Sequence, residues 1–495
     1  MNYENQTDPC SIKIDKSKFK FVQLNNTLGE CKLQTKPTGY FKDAMIRFAK
    51  NRGSVICFFI IIALILYAVF APVFSSYKIS DKDGYYAYAS PKCSLFENTA
   101  FWNGCSITEV NEQTFDYLNN IPGAVKKFYG TKTYSIANRP QKWFKVKIDD
   151  YAKVGWIKKL LTKEEYEAAL NYEKETGRQL FYPIIDRKKI KSPVYKNDQN
   201  AWFLTDDHGF ALKDDSGKVK NIFLYENNSN EKIPVMFISR MDGTQFETRV
   251  LYKEWYRYQN NKYASFLFGA DNAGYDIFTR LAYGARLSLL LSICVAAINL
   301  FLGIIIGSLE GYYGGTFDLI AERIKEILYQ IPSVILMTLF QLYFAKKAGP
   351  IFSMFVAFIF FGWIGTSSTV RAQFYRYKGQ EYVMASRTLG AKDFRLIFRH
   401  IFPNAIGFII TTSVLTIPGV IFSEANLTYL GIVNLQSDTM TSVGTMLNGA
   451  QDALSIHPHC VFFPAAFISI LLICFNEFGN GLRDAFNPVL RGSEK

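Results

Sequence analysis

The segment that decides how this chain is built reads EYVMASRTLGAKDFRLIFRHIFPNA, residues 381–405. It divides into a helix, a glycine turn and a second helix. Glu381 favours a helix start, because a carboxylate there meets unpaired backbone N–H groups. Ala385 and Ser386 keep one face small, and Gly390 is placed to end the helix in a left-handed conformation that side-chain-bearing residues resist. The second helix begins near Asp393 and is expected to stop against Pro403, whose ring and missing N–H interrupt a helical ladder. Such a helix pair fits a groove on another protein, and the basic residues around it fit an acidic rim or lipid headgroups. On physics alone it reads as an amphipathic helix at a membrane surface.

Apolar stretches lie on both sides of this segment. A bilayer core of about 30 Å needs about 20 mainly apolar helical residues, and residues 55–74, VICFFIIIALILYAVFAPVF, carry no charge. Further candidates at 287–309, 327–345, 350–370, 405–425 and 461–478 predict about six transmembrane helices. The third contains Gln330, Pro332 and Gln341 and the sixth ends at Asn476 and Glu477, as where helices face protein or water. The first span starts too far from the N-terminus, and lacks a small-residue cleavage site, to read as a signal peptide, so it is expected to remain as an anchor.

Lys42, Arg47, Lys50 and Arg52 precede that span, and the positive-inside rule places segment 1–54 in the cytoplasm. Alternation then puts residues 371–404 in the cytoplasm as well. Arg371, Arg376, Lys378, Arg387, Lys392, Arg395 and Arg399 stand there against only Glu381 and Asp393. The loop 426–460 falls outside and has no Lys or Arg; Lys346 and Lys347 on a short outer turn dissent.

With 495 residues the chain is long for one core at roughly 150 residues per domain. Its 33 Gly, 16 Pro, 8 Cys and aromatic fraction of 16% exclude collagen-like, disordered and disulfide-dense classes. The net charge of +13 suits nucleic acid, anionic lipid or an acidic partner, and its placement beside the spans assigns it to the membrane and not to nucleic acid. Residues 75–263 form an outer segment that reads as a folded α+β unit. Thr162 and Glu165 make a capping box for KEEYEAALNYEKET, and Gly177 stops that helix. AWFL, GFALK, KNIFLY, IPVMFIS and TQFETRVLY, separated by DDHG, DDSG and MDG, predict a meander of short strands. Cys93 and Cys105 share this outer segment and are a candidate disulfide, with two unrelated thiols as the even alternative. His457 and His459 around Pro458 read as a loop, not a metal site. Glu424, near the outer end of the fifth span, is a candidate gate or substrate contact, although a carboxylate at the water boundary is the favoured reading. Gly314 and Gly315 read as a helix break in a cytoplasmic turn. No G-x-x-x-x-G-K-[ST] loop, G-x-S-x-G elbow or H-E-x-x-H helix occurs, which argues against an enzyme.

The segment 381–405 resembles the EAA motif in permease subunits of ATP-binding-cassette (ABC) importers, specifically the C-type subunit of the dipeptide, oligopeptide and nickel group. The resemblance extends through FGADNAGYDIFTRLAYGARLSLLLS, GYYGGTFD, Ile331-Pro332-Ser333, SEANLTYLGI and FNEFGNGLRDAFNP, in family order over roughly 264–490, plus the first helix. It implies an all-α polytopic membrane protein with the ABC importer permease fold, about six transmembrane helices, and an inserted α+β extracellular domain at 75–263. The core then spans 264–490 with its coupling loop at 371–404, and 491–495 is a cytoplasmic tail. The implied function is the membrane half of a di- or oligopeptide importer. Implied partners are a second permease subunit in a heterodimer, two ATP-binding subunits, an extracellular substrate-binding protein, the peptide and the lipid bilayer; no cofactor is bound by this chain.

Carried over residue by residue, Glu381, Ala385, Ser386 and Gly390 match the motif that couples to the ATPase, with Leu389 and Ala391 flanking; Ser386 stands where a second Ala is common. Tyr275 replaces an expected Arg, Ser368 an Arg upstream of Arg371, and Val443 a Trp, which unsettles the outer-gate contacts. A nickel-chelate importer and a membrane-anchored surface domain are the competing readings, with an ion-coupled carrier a distant third. The insertion is open to three roles: contact with a binding lipoprotein, cover for the translocation mouth, or bracing.

Overall fold

A short amphipathic helix, α1 (Tyr40–Lys50), leads into α2 (Arg52–Phe74), whose start is capped by the Asn51 side chain accepting from the Ser54 N–H at 3.3 Å. The computed structural model describes residues 40–486, apart from 97–98, 100, 137–138, 191–194, 196, 207–209, 216, 218, 225–234 and 241–242. The expected turns DDHG, DDSG and MDG therefore fall partly, and residues 1–39 and the tail 491–495 wholly, outside the described residues.

Among the described residues, two sheets build the insertion. β1 (Cys105–Asn111), α3 (Glu112–Asn119), β2 (Val125–Ile136) and β3 (Arg139–Asp149) come first, giving an antiparallel sheet of order β1-β3-β2. Val146 and Ile148 turn inward onto Leu118, Ile121 and Trp156, while Lys145 and Lys147 between them turn toward solvent, the period-2 pattern of a half-buried sheet. The second sheet joins β4 (Trp156–Leu161), β5 (Phe181–Tyr182), β6 (Val235–Arg240) and β7 (Gly243–Leu251). It is backed by α4 (Lys163–Thr176) and α5 (Tyr252–Asn260), whose Ala169, Tyr252, Trp255 and Tyr256 pack with Tyr86 and Phe266 where the insertion meets the helical core.

The capping box at Thr162 and the left-handed Gly177 (φ 64°) bound α4 as the sequence predicts. The predicted meander is corrected. AWFL, GFALK and KNIFLY make only isolated bridges such as Phe203↔Asn221 and Lys213↔Val219, so the ladders lie in β6 and β7 downstream and in the unpredicted β1–β5 upstream.

Among the described residues, five helical segments are long and apolar enough to cross a membrane: α2, α6 (Ile277–Tyr313), α9 (Pro350–Lys378), the composite Asp393–Tyr429 and α15 (His459–Phe486). Between α6 and α9, α7 (Gly315–Tyr329) and α8 (Ser333–Ala348) form a pair bent by 79°. The expected unbroken third span is corrected to this pair, and Pro332, which has no N–H to donate, stands at the break.

Packing shows what the bent pair must do. Along α6, Gly303, Gly307 and Gly311 face α9. A Cβ added to them would lie 2.6 Å from Thr366 Cβ, 2.3 Å from the Ser367 carbonyl oxygen and 2.5 Å from Phe374 Cβ respectively. Both series ascend together, so α6 and α9 run parallel, backbone against backbone on small residues. Parallel neighbours require a return crossing, and α7–α8 supplies it as the sixth span. Gly314 and Gly315 (φ 66° and 61°) make the helix break expected there.

After α9 come α10 (Glu381–Thr388), α11 (Asp393–Arg395), a π-helical stretch Leu396–Ile401, α12 (Phe402–Val414), α13 (Thr416–Tyr429) and α14 (Val443–Gly449) before α15. The expected stop at Pro403 does not occur. Pro403 lies in the first turn of α12, and the wider π-helical turn before it accommodates a residue without an N–H, so the span continues.

Side-chain contacts order the two ends of the bundle. Tyr67 donates to the Phe278 carbonyl at 2.7 Å, Arg286 to the Val69 carbonyl at 2.9 Å and Arg280 to the Ser437 carbonyl at 2.9 Å. The insertion, the start of α6 and the loop after α13 therefore share one end. Ser54 donates to the Glu477 carbonyl at 3.1 Å and Tyr312 to Asp393, which gathers α1, the start of α2, the end of α15 and α10–α11 at the other.

Candidate coupling site

The turn after α10 is built by its backbone. Gly390 has φ 81°; its N–H donates to the Arg387 carbonyl at 3.0 Å and the Ala391 N–H to the Ser386 carbonyl at 3.1 Å. This crossed pair is the Schellman closure of a helix, and it needs a left-handed residue at Gly390. Glu381 lies in the first turn of α10, as its charge favours.

One residue anchors the helix from below. Val383 is 1% exposed and packs with Phe374, Leu396, Ile397 and Ile401, with Ala391 half-buried beside it. The opposite side is open: Leu389 is 88% exposed and Phe394 73%, with Tyr382, Met384 and Ala385 also at the surface. Ser386 turns its hydroxyl back onto the Tyr382 carbonyl at 2.9 Å, and Asn404 on α12 donates to the Tyr382 hydroxyl at 3.1 Å. Arg387 donates to the Tyr312 hydroxyl at 3.2 Å, and that hydroxyl donates to Asp393. The tip of α6 is thus held between the two arms of the helix pair. Among the predicted residues, Ala385, Ser386, Leu389, Gly390 and Ala391 lie at the end of α10 and on its turn, while Glu381 stands at the start of the same helix.

Behind it lies a charged cluster that sequence reading missed. Lys325 on α7, 3% exposed, pairs with Glu310 on α6 at 2.7 Å and with Glu322, and Ser367 on α9 donates to Glu310 at 3.1 Å. Alongside, Arg371 makes a two-pronged pair with Asp318, one arm at 2.8 Å, and Tyr375 donates to the same carboxylate at 2.8 Å. The signal was there in the charges flanking Gly314-Gly315, but only the parallel approach of α9 shows that they meet.

Glu424 stands elsewhere and is corrected. It is 1% exposed and accepts from Ser288 on α6 at 2.6 Å and from Thr428 at 3.4 Å. It is a carboxyl buried between helices, not one at the water boundary. Cys93 and Cys105 are likewise corrected, since both thiols are free. The Cys93 N–H is spent on the Trp102 carbonyl at 2.9 Å, and the Cys105 thiol turns to the Asn103 carbonyl at 3.5 Å. At the insertion end of α6, Tyr275 donates to Asp438 while the Arg280 guanidinium lies 4.0 Å from its ring centroid. The residue standing in place of the expected arginine thus holds the loop after α13, with Arg280 beside it. His457 stacks on Tyr88 with ring centroids 4.6 Å apart.

Comparison with known proteins meets this geometry. Residues 299–492 match the model described as binding-protein-dependent transport system inner membrane component, and residues 39–91 match the N-terminal TM domain of oligopeptide transport permease C. The oligopeptide transport system permease protein OppC of Bacillus subtilis is 44% identical over 224 residues, which cover 45% of this chain and 72% of that protein. This chain belongs to the binding-protein-dependent transport system inner membrane component family. It is a multi-pass permease subunit of an ABC importer, of the C type. The dipeptide permease DppC of the same organism is 42% identical over 225 residues, 45% of this permease and 69% of its own length. OppC of Haemophilus influenzae is 35% identical over 221 residues, covering 45% and 70%. Neither family model reaches into residues 92–298, which hold most of the insertion.

Proposed function

We propose that this permease carries di- or oligopeptides across the cytoplasmic membrane, driven by ATP hydrolysed on separate subunits. The single observation that carries the coupling part is the projecting turn: Leu389 exposed on a helix whose underside, through Val383, is fixed in the bundle. A surface that is apolar, exposed and rigidly backed suits insertion into a cleft of an ATP-binding subunit. Glu381, Ala385, Ser386, Gly390 and Ala391 shape and hold that turn. The peptide reading rests on relatives that are named as oligopeptide and dipeptide permeases. A second permease subunit, two ATP-binding subunits and a substrate-binding protein complete the assembly. The basic residues beside α2 and α10 support placing that end in the cytoplasm, with the insertion and the loop after α13 outside.

The test is reconstitution with the partner permease, the ATP-binding subunits and the binding protein in liposomes. Labelled di- and oligopeptides should accumulate only with ATP supplied on the side that bears α10. Uptake of nickel chelates without peptides would overturn the substrate assignment, and peptide uptake unaffected by ATP would overturn the mechanism.

A further inference from the structure

The three-stranded sheet of the insertion packs only one of its faces. On the packed side lie Val146 and Ile148; the other side carries Lys127, Lys145 and Lys147, with Lys127 and Lys147 directly opposed across β2 and β3. Directly opposed like charges destabilise a sheet, so a pattern that gathers them on one face calls for an external counter-charge. Glu109 supplies only part of it: this one carboxylate stands directly opposite Lys145 across β1 and β3 and also serves Lys132 at 2.7 Å and the Tyr134 hydroxyl at 2.9 Å, while Lys147 stands opposite Ile107 and Lys127. Asp149, at the base of β3, is taken by Lys126 at 3.4 Å. Aromatic rings interleave the cations, with Tyr134 packed edge-on against Trp143 at 6.1 Å and Ile107 56% exposed nearby. Rings and cations on a flat, solvent-facing sheet are the composition of a protein recognition surface. The strands also run away from the seam with the helical core, because it is Tyr151, just past the base of β3, whose hydroxyl accepts from the Phe266 N–H of the core at 3.2 Å.

We propose that this cationic, aromatic face is where the substrate-binding protein docks, through an acidic surface of its own. The inference rests on the importer reading above and adds a location and a chemistry to it. Charge complementarity sets the encounter rate, and the rings supply contact once docked. A protein is favoured over lipid because the face continues along the hairpin away from the seam.

The test uses the full complex in nanodiscs of neutral lipid, with ATPase activity followed as substrate-loaded binding protein is titrated in. The triple variant Lys127→Glu, Lys145→Glu, Lys147→Glu should raise the half-saturating concentration of binding protein at least tenfold and leave the maximal rate unchanged. The triple Gln variant should give a smaller shift of the same sign, and both should match the parent protein in thermal melting. Added salt should weaken the parent complex, leave the Gln variant nearly unaffected and partly restore binding to the Glu variant by screening its repulsion. Half-saturation within twofold of the parent would overturn the docking face while the importer reading stands. If the parent complex is not stimulated by the binding protein at all, the importer reading falls and this face's assignment with it. If the Glu variant loses only flotation with anionic vesicles, the occupant is lipid and the proposal is wrong.

Discussion

A Cβ at Gly390 would touch nothing within 4 Å, yet its φ is 81°. Any penalty there is one of backbone conformation, about 1–3 kcal/mol for a residue that resists the left-handed region. Gly390→Val should therefore reach the membrane but lose both peptide uptake and substrate-stimulated ATPase in the reconstituted complex. Gly390→Asn, whose side chain tolerates that region, should keep most of both. Normal transport by a stably expressed Gly390→Val protein would remove the turn from the mechanism. Leu389→Asp separates docking from folding: at an exposed site it should shift stability by no more than about 0.5 kcal/mol, and it should abolish stimulated ATPase. Asp83, in the insertion, provides a pH signature. Burial pushes its carboxyl above the ordinary range, while bonds from the Tyr252 hydroxyl and the Tyr85 N–H pull the other way. Because the folded value lies above the unfolded one, the protonated form is favoured in the native state. Its contribution is present at low pH and is lost as pH rises through the folded value. Asp83→Asn should flatten the melting-temperature profile as pH rises above the ordinary carboxylate range; a profile identical to the parent would show that this carboxyl does not titrate differently in the two states.

Among the elements, the parallel contact of α6 and α9 is the most sensitive to added volume. Gly307→Leu would force atoms to within 2.3 Å of the Ser367 carbonyl oxygen unless the helices part. We expect a loss of about 1–3 kcal/mol, read as a lower melting temperature in nanodiscs. Gly365→Ala, where a Cβ meets nothing within 4 Å, should melt at or slightly above the parent temperature. The charged cluster makes a complementary case. Glu310→Ala leaves Lys325 buried with only Glu322 and should cost about 3–5 kcal/mol, whereas Glu310→Leu with Lys325→Met should recover most of that loss. Recovery absent from the double variant would mean the pair does more than balance charge. What sequence reading reached here was local. The capping box at Thr162, the turn at Gly390 and the uncharged run of α2 each declare themselves within a few residues. The α6–α9 contact and the Glu310–Lys325 pair depend on which helices become neighbours, which no short window contains. Pro403 shows a local rule overridden by the π-helical turn before it, and Cys93 and Cys105 show that a shared compartment does not make a bond. In β3 the alternation around Val146 was present, but its lysines disguised a strand as a charged loop.

For the whole molecule, the contacts settle which parts share an end, and the proposed topology makes a prediction for the compartment each end faces. With Cys93 and Cys105 replaced by Ser, Lys163→Cys in the insertion should react with an impermeant maleimide in intact cells, and Leu389→Cys only after permeabilisation. The reverse pattern would invert the topology. The length of α6 has a mechanical consequence. Its 37 residues, at about 1.5 Å each, make a rod of about 55 Å, well beyond a hydrocarbon core of about 30 Å. It therefore protrudes from the bilayer, and the same rod carries Arg280 under the loop after α13 and Tyr312 inside the helix pair at the opposite tip. With α9 seated along it, the pair is too stiff to absorb a push at one tip by bending. A tilt imposed at Tyr312 would arrive at Arg280 as a displacement of opposite sense, in the manner of a seesaw pivoting within the membrane.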